Sequence, residues 1–189
     1  MRELVNKILA LNWAEVNPEK LAIVSYYCAL EFAECLRNSS QGNLANPRIH
    51  KLSLEELNTD NLQFGSYGRK ADHAEFLCHF LVEEGWLLKY PELVKLGESY
   101  VREVTLNPHR WQFDTVVSRE EELSGIFHKI LNSGLKLPDW LRYFYERHLE
   151  LDHVHAGLVS IFVLSEKVLT RYYALRLEFY QQALLNRGE

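Results

Sequence analysis

The sequence predicts an all-α fold, a bundle of seven or eight helices in one domain spanning residues 1–189. Three observations predict it. Apolar residues recur at three- and four-residue spacing through most of the chain, the period of one helix face. Helix start and stop signals punctuate that pattern at Asn17-Pro18, Gly85, Pro91, Asn107-Pro108, Ser133-Gly134 and Pro138-Asp139. No segment holds a strand period: Val101 to Val104 alternates briefly, but inside a helical pattern. Seven or eight helices exceed a simple four-helix bundle.

In order, Leu4, Val5, Ile8, Leu9 and Leu11 give a first helix within residues 2–13. Asn17 and Pro18 read as N-cap and first position of a second helix, with Glu19 in its first turn, running to about Arg37. It is apolar on most of its circumference (Leu21, Ile23, Val24, Tyr26, Tyr27, Leu30, Phe32, Leu36), which marks a helix central to its domain. Glu31 and Glu34 read as rim residues. Residues 38–50, rich in Asn, Ser, Gln and Gly and ending in Asn46-Pro47 with Arg48 beyond, read as a loop. Ser53-Leu54-Glu55-Glu56 is a capping-box pattern opening a short helix. Gly65 and Gly68 interrupt the chain, a helix follows from about Lys70 to Glu84, and Pro91 starts another to about Leu106. A loop carrying Asn107-Pro108 leads to a helix from about Ser118 to Leu131, and Pro138-Asp139 opens a last helical stretch to about Leu185, broken near 147–150 or Gly157.

Composition narrows the function classes. Hydrophobic residues make up 47% and charged residues 25%, which is ordinary globular usage and enough to build a core. The net charge of −5 and the scattered Lys and Arg residues argue against a nucleic-acid partner. No apolar run approaches the ~20 residues that span a bilayer, and the N-terminal stretch has no signal-peptide pattern, so a cytoplasmic protein is expected. Cys28, Cys35 and Cys78 are odd in number, and the first two lie two helical turns apart, so they read as reduced thiols.

The chemistry concentrates in residues 143–157, where three of the eight histidines fall within eight positions. On a helix His148, Asp152 and His155 stand at i, i+4 and i+7 and share a face. Continued along one helix, that face runs through Val159, Phe162, Leu169 and Tyr173, an apolar and core-facing row. A His/Asp/His row turned inward needs a partner, and a metal supplies one. At ~1.5 Å rise per residue the two histidines are ~10.5 Å apart along the axis, too far for one ion. Two ions ~3.5–4 Å apart, with Asp152 between them, fit better. Imidazole and carboxylate suit iron, manganese or zinc. Further ligands must come from other helices. His73 lies on the apolar face of its helix with Phe76 and Leu77, while Glu75 and His79 share a more peripheral face. Of Glu120, Glu121 and Glu122, the row Val116, Glu120, Leu123, Phe127 turns Glu120 inward and leaves the other two in solvent.

The string Tyr143-Phe144-x-x-x-His148-x-x-x-Asp152-x-x-His155 resembles the signature of the haem-oxygenase-like di-iron oxidases, whose relatives include thiaminase II, pyrroloquinoline-quinone synthase and the Chlamydia protein associating with death domains. Asn61-Leu62, Gly68, His73-Ala74-Glu75-Phe76-Leu77 and Glu84-Gly85-Trp86 resemble the preceding ligand helix of that family. Glu120-x-x-x-Ser124-x-x-Phe127 resembles its middle one, and together the motifs cover roughly residues 60–165. The resemblance implies the haem-oxygenase-like fold and His73, Glu120, His148, Asp152 and His155 as metal ligands. It implies two iron ions, with manganese as the substitute, and a small organic substrate oxidised with dioxygen. A homodimer is compatible with it. The family also places a Glu about two turns before the position of His73. Here that stretch reads Gln63-Phe64-Gly65-Ser66, and the nearest acid upstream is Asp60. The site is then mononuclear, or completed by Glu75 or Glu31, or lost. Two other readings use the same scaffold: a metal-free enzyme like thiaminase II, with Cys28, Cys35 or Cys78 as nucleophile, and a binding protein without chemistry. In one branch of the superfamily a tyrosine of the protein itself is consumed, and Tyr26, Tyr27, Tyr143 and Tyr145 would be the residues to consider.

Overall fold

The structure is a computed structural model that describes residues 1–43, 53–54, 56–57, 62–65, 67, 72–155 and 163–184; the side chains of residues 40–43, 120–121 and 151–155 lie outside the description. Among the described residues there are nine α-helices: α1 (Arg2–Leu9), α2 (Pro18–Asn43), α3 (His73–Glu83), α4 (Trp86–Lys89), α5 (Pro91–Thr105), α6 (His109–Ser118), α7 (Glu120–Asn132), α8 (Asp139–His155) and α9 (Glu166–Leu184), with a 3₁₀ turn at Trp13–Glu15. The only extended pairing among them is one antiparallel bridge, Phe64 to Tyr67, turned by Gly65 at φ 56°. No helix among the described residues is long and apolar enough to cross a membrane. All three cysteines are free thiols.

Helix α2 is the axis of the molecule, as its all-round apolar sequence requires. It packs against α3, α5, α6 and α9, and Leu21, Ala22, Ile23, Cys35 and Leu36 are buried almost completely. Asn17 caps it, its Oδ1 accepting from the Glu19 and Lys20 amides. The helix does not stop at Arg37 but continues to Asn43, through the first six residues of the expected loop. Ser39 explains how: buried, it donates to the carbonyls of Cys35 and Leu36, while Asn38 donates across to Gln112. Polar side chains that favour loops are here satisfied on the helix itself. Residues 44–50 lie outside the description.

Two further expectations change. The loop at Asn107-Pro108 is followed at once by a helix, His109–Ser118, rather than by loop up to about Ser118. Every residue of α6 from Trp111 to Val117 is buried, including Gln112, Asp114 and Thr115. An all-round buried helix with three polar residues shows no amphipathic stripe to read. The polar groups are paired locally: Gln112 Nε2 donates to the Thr105 and Asn107 carbonyls, and Thr115 Oγ1 to the Gln112 carbonyl. The last stretch holds two described helices, and of the two expected breaks the one near Gly157 lies outside the described residues. α8 runs unbroken through 147–150 to His155, residues 163–165 are not helical, and α9 begins at Glu166. Asp114 Oδ2 accepts the Ser165 amide and Arg110 donates to the Val163 carbonyl, so α6 holds the break open. Leu169 and Tyr173 therefore do not extend the face that carries His148.

The helices are joined at their centre by ionic groups. Arg176 of α9 is fully buried and donates to Glu31 of α2 and Glu122 of α7. Arg119, the single residue between α6 and α7, donates to the same Glu31 oxygen at 3.2 Å and to the Cys28 carbonyl at 2.9 Å. Tyr100 and Tyr172 also donate to that oxygen. Glu31 is thus a core residue rather than a rim one, and Glu122 is buried rather than solvated. Two carboxylates and two guanidiniums balance, which is the condition for burying any of them. Burial pushes the Tyr100, Tyr172 and Tyr180 hydroxyls well above their ordinary pKa, so they remain neutral donors.

Two predictions test this packing. Arg176→Met leaves two buried carboxylates facing one guanidinium and is expected to cost about 3–5 kcal/mol in urea unfolding. A loss below about 1 kcal/mol would show the cluster to be dispensable. Separately, a Cβ on Gly97 of α5 would stand 2.1 Å from the Tyr27 ring. Gly97→Ala should then destabilise by about 1–3 kcal/mol, against a helix-propensity gain of about 0.5–1 kcal/mol. In a Tyr27→Ala background the sign should reverse.

Candidate functional site

A cavity of about 110 Å³ opens between α2, α3, α7 and α8. Its walls are mostly apolar: Leu21, Val24, Ala29 and Phe32 from α2, Leu123, Ile126, Phe127 and Ile130 from α7, and Phe144 from α8. The polar lining is sparse, comprising Ser25, Cys28, Glu56, His73, Arg119, His148 and Tyr180. An apolar cleft with a few converging polar groups is the general form of a small-molecule site.

The two predicted histidines of known placement meet there. His73 is the first residue of α3. Its position is fixed by Asp72 before it, which caps α3 by accepting the Glu75 amide at 2.8 Å and is ion-paired to Arg37 of α2. His148 lies one turn beyond Phe144 on α8, and its Nδ1 is 2.9 Å from the Phe144 carbonyl oxygen. That carbonyl can only accept, so Nδ1 carries the hydrogen and Nε2 keeps its lone pair. The lone pair faces His73 Nδ1 at 2.9 Å, with ring centroids 4.3 Å apart. Phe144 and Phe127 flank the His148 ring at 4.2 and 5.5 Å.

The third group was not expected. Glu56 Oε2 lies 3.2 Å from His73 Nδ1, and both side chains are about nine-tenths buried. In the sequence Glu56 sits within the capping-box pattern beginning at Ser53, which offers a local role and no sign of His73. Of the two alternatives, Glu31 is held in the central ionic cluster, and Glu75 lies in the first turn of α3, its amide bonded to the Asp72 cap. Glu166, at the start of α9, is exposed.

Helical register places Asp152 and His155 one and two turns beyond His148 on α8, and Glu120 at the start of α7. The side chains of all three lie outside the description. Among the described residues no group of three or more His, Cys, Asp or Glu stands in an arrangement that holds a metal ion. Glu56, His73 and His148 are joined by direct contacts. The donor chemistry of those three groups nevertheless suits iron, manganese or zinc, and His148 is held in the ligand-ready neutral form with its second nitrogen anchored to a backbone carbonyl.

The charge state follows from the surroundings. His148 borders the cavity, yet protein encloses it, and this burial pulls its pKa down to about 3, with the neighbouring His73 acting in the same direction and Glu56 against it. Burial pushes the Cys28 and Cys35 thiols up, more than the nearby guanidiniums pull Cys28 down. Neither is an activated thiolate.

Comparison of the chain with protein-family models, curated proteins and solved structures finds no match.

His148 supplies a testable pH dependence for the metal-free protein. Its native pKa lies below the unfolded value of 6.5, so the unfolded chain binds a proton that the native one refuses. Stability is therefore complete above that pH and falls as pH is lowered from 6.5 to 5, with a slope approaching ~1.4 kcal/mol per pH unit. Urea unfolding at a series of pH values should show this slope in the wild type and a flatter profile in His148→Phe. Equal slopes would mean that the histidine is not held neutral.

Proposed function

We propose that the chain is a metal-dependent oxidase or oxygenase of the haem-oxygenase-like type, acting on a small organic substrate with dioxygen. The observation that carries this reading is the convergence of His148 Nε2, His73 Nδ1 and Glu56 Oε2 at the edge of an apolar cavity. The three residues come from three separate stretches of chain. His73 and His148 are the two ligands that the motif resemblance names and whose placement is known, and Glu56 answers the missing carboxylate.

In this reading Glu56, His73 and His148 hold iron, with Glu120, Asp152 and His155 as the remaining ligands of a two-iron centre. The chemistry supplied at such a centre is activation of dioxygen toward an organic substrate. The chain's own part is to orient and to exclude. The Phe144 carbonyl fixes the His148 tautomer and aims its lone pair. The Asp72 cap, tied to Arg37, fixes the start of α3 and so His73. Phe127 and Phe144 shield the histidines from water, and the α2 and α7 walls receive the apolar body of the substrate.

A cysteine-nucleophile enzyme finds less support, because burial favours the neutral thiol at Cys28 and Cys35. A non-catalytic binding protein would use the same cavity but has no need of the two facing histidines.

Ferrous iron added anaerobically to metal-free protein, followed by desalting and iron analysis, should give two equivalents in the wild type. His148→Ala and Glu56→Ala should each retain less than half of that, and admission of air should produce a transient visible absorption in the wild type only. Wild-type iron retention in both variants, or no iron in the wild type, overturns the proposal.

A further inference from the structure

We propose that Ser25 presents a hydrogen-bond donor to the substrate, and that the cavity therefore selects a small apolar molecule bearing one acceptor oxygen, such as a carbonyl. The inference rests on the reading that this cavity is the substrate site. Ser25 lies in the middle of α2 and lines the cavity wall between Leu21 and Cys28. Its Oγ is 2.7 Å from the hydroxyl of Tyr145 on α8, and either oxygen could be the donor of that contact. Among the described residues neither hydroxyl has a second partner.

Counting protons resolves the direction. The pair holds two hydroxyl hydrogens, and the contact between them uses one. Tyr145 is completely buried. If Ser25 donated, the Tyr145 hydrogen would be left in the dry core without an acceptor, at the full desolvation penalty of that group. Tyr145 therefore donates to Ser25. The Ser25 hydrogen is then the one left over, and Ser25 alone of the two borders the cavity. It does not turn back onto its own helix, since no bond from Ser25 Oγ to a preceding carbonyl is formed. The result is a donor with a fixed origin on an otherwise apolar stretch of α2, facing a space that also contains His73 and His148.

Volume sets the size of the molecule. A dry cavity of about 150 Å³ accommodates benzene, so about 110 Å³ accommodates a body of about five heavy atoms without rearrangement. Butanone and 2-methyl-1-butene, with five heavy atoms each, are matched probes, alike in shape and differing in the acceptor oxygen.

The test uses metal-free protein, so its result does not depend on iron. Dissociation constants for the two probes are measured by calorimetry on the wild type, Tyr145→Phe and Ser25→Ala/Tyr145→Phe. The double variant removes both partners, which avoids stranding the Tyr145 hydroxyl. Tyr145→Phe keeps the Ser25 donor and should preserve the wild-type ratio of the two constants. The double variant should shift that ratio against the ketone by about five- to tenfold. A second measurement needs no variant: the carbonyl stretch of butanone bound to the wild type should lie below its position in alkane solvent. An unchanged ratio in the double variant, a shift already present in Tyr145→Phe, a carbonyl band at the alkane position, or no saturable ketone binding overturns the proposal. Iron retention without ketone selectivity would remove this inference alone, and ketone selectivity without iron retention would remove the metal reading alone.

Discussion

The arrangement depends on the ionic cluster at the centre of the bundle. One oxygen of Glu31 accepts from Arg119, Arg176, Tyr100 and Tyr172, and Arg176 reaches Glu122 as well. Through these bonds α2, α5, α7 and α9 meet at a single point with the junction of α6 and α7. Apolar contacts are non-directional and would permit α2 to slide or rotate against its neighbours. Directional bonds to one carboxylate oxygen do not. The cost is visible, because among the described residues the other Glu31 oxygen and Arg119 Nε are buried without a hydrogen-bond partner. A protein that needed only stability would do as well with apolar residues of similar volume.

What the cluster fixes is the floor of the cavity. Arg119 is held by Glu31 and by the Cys28 carbonyl, and both Arg119 and Cys28 line the cavity. Ser25 stands three residues earlier on the same helix. The α2 wall is therefore referenced to the rigid centre of the molecule. The histidines are referenced differently, His73 through the capped start of α3 and His148 through the Phe144 carbonyl. The two histidines and the α2 wall thus belong to separate helices, and only the α2 wall is tied directly to the central bonds.

Much of the helical order was legible because apolar periodicity and caps report on the same boundaries. Pro91–Thr105 is one example, and the positive φ of Gly134 after α7 is another. The failures share one cause. At Glu31, Glu122, Ser39 and α6 polar residues are buried and satisfied, the two glutamates by partners distant in sequence and Ser39, Gln112 and Thr115 by nearby carbonyls, and a local pattern counts such residues as solvent-facing. Arg176 did leave a trace, since it stands at helical spacing among Leu169, Tyr172, Tyr173 and Phe179, but a trace without a visible partner does not identify a cluster. For the site, His73 and His148 were legible because their helical rows placed them inward. Glu56 was not, because its link to His73 depends on how the chain between them folds back.

That fold-back bears on the chemistry. His73 opens its helix, and before it the described residues 62–65 and 67 include the antiparallel Phe64–Tyr67 bridge. Those residues are committed elsewhere. Leu62 and Tyr67 are buried in the apolar core, the Gln63 amide donates to Tyr143 Oη, and Phe64 packs against Phe80 and Tyr143. The carboxylate found beside His73 among the described residues comes from further back in the chain. Glu56 stands beside His73 from a short helical segment, and its carboxylate lines the cavity together with the imidazoles of His73 and His148.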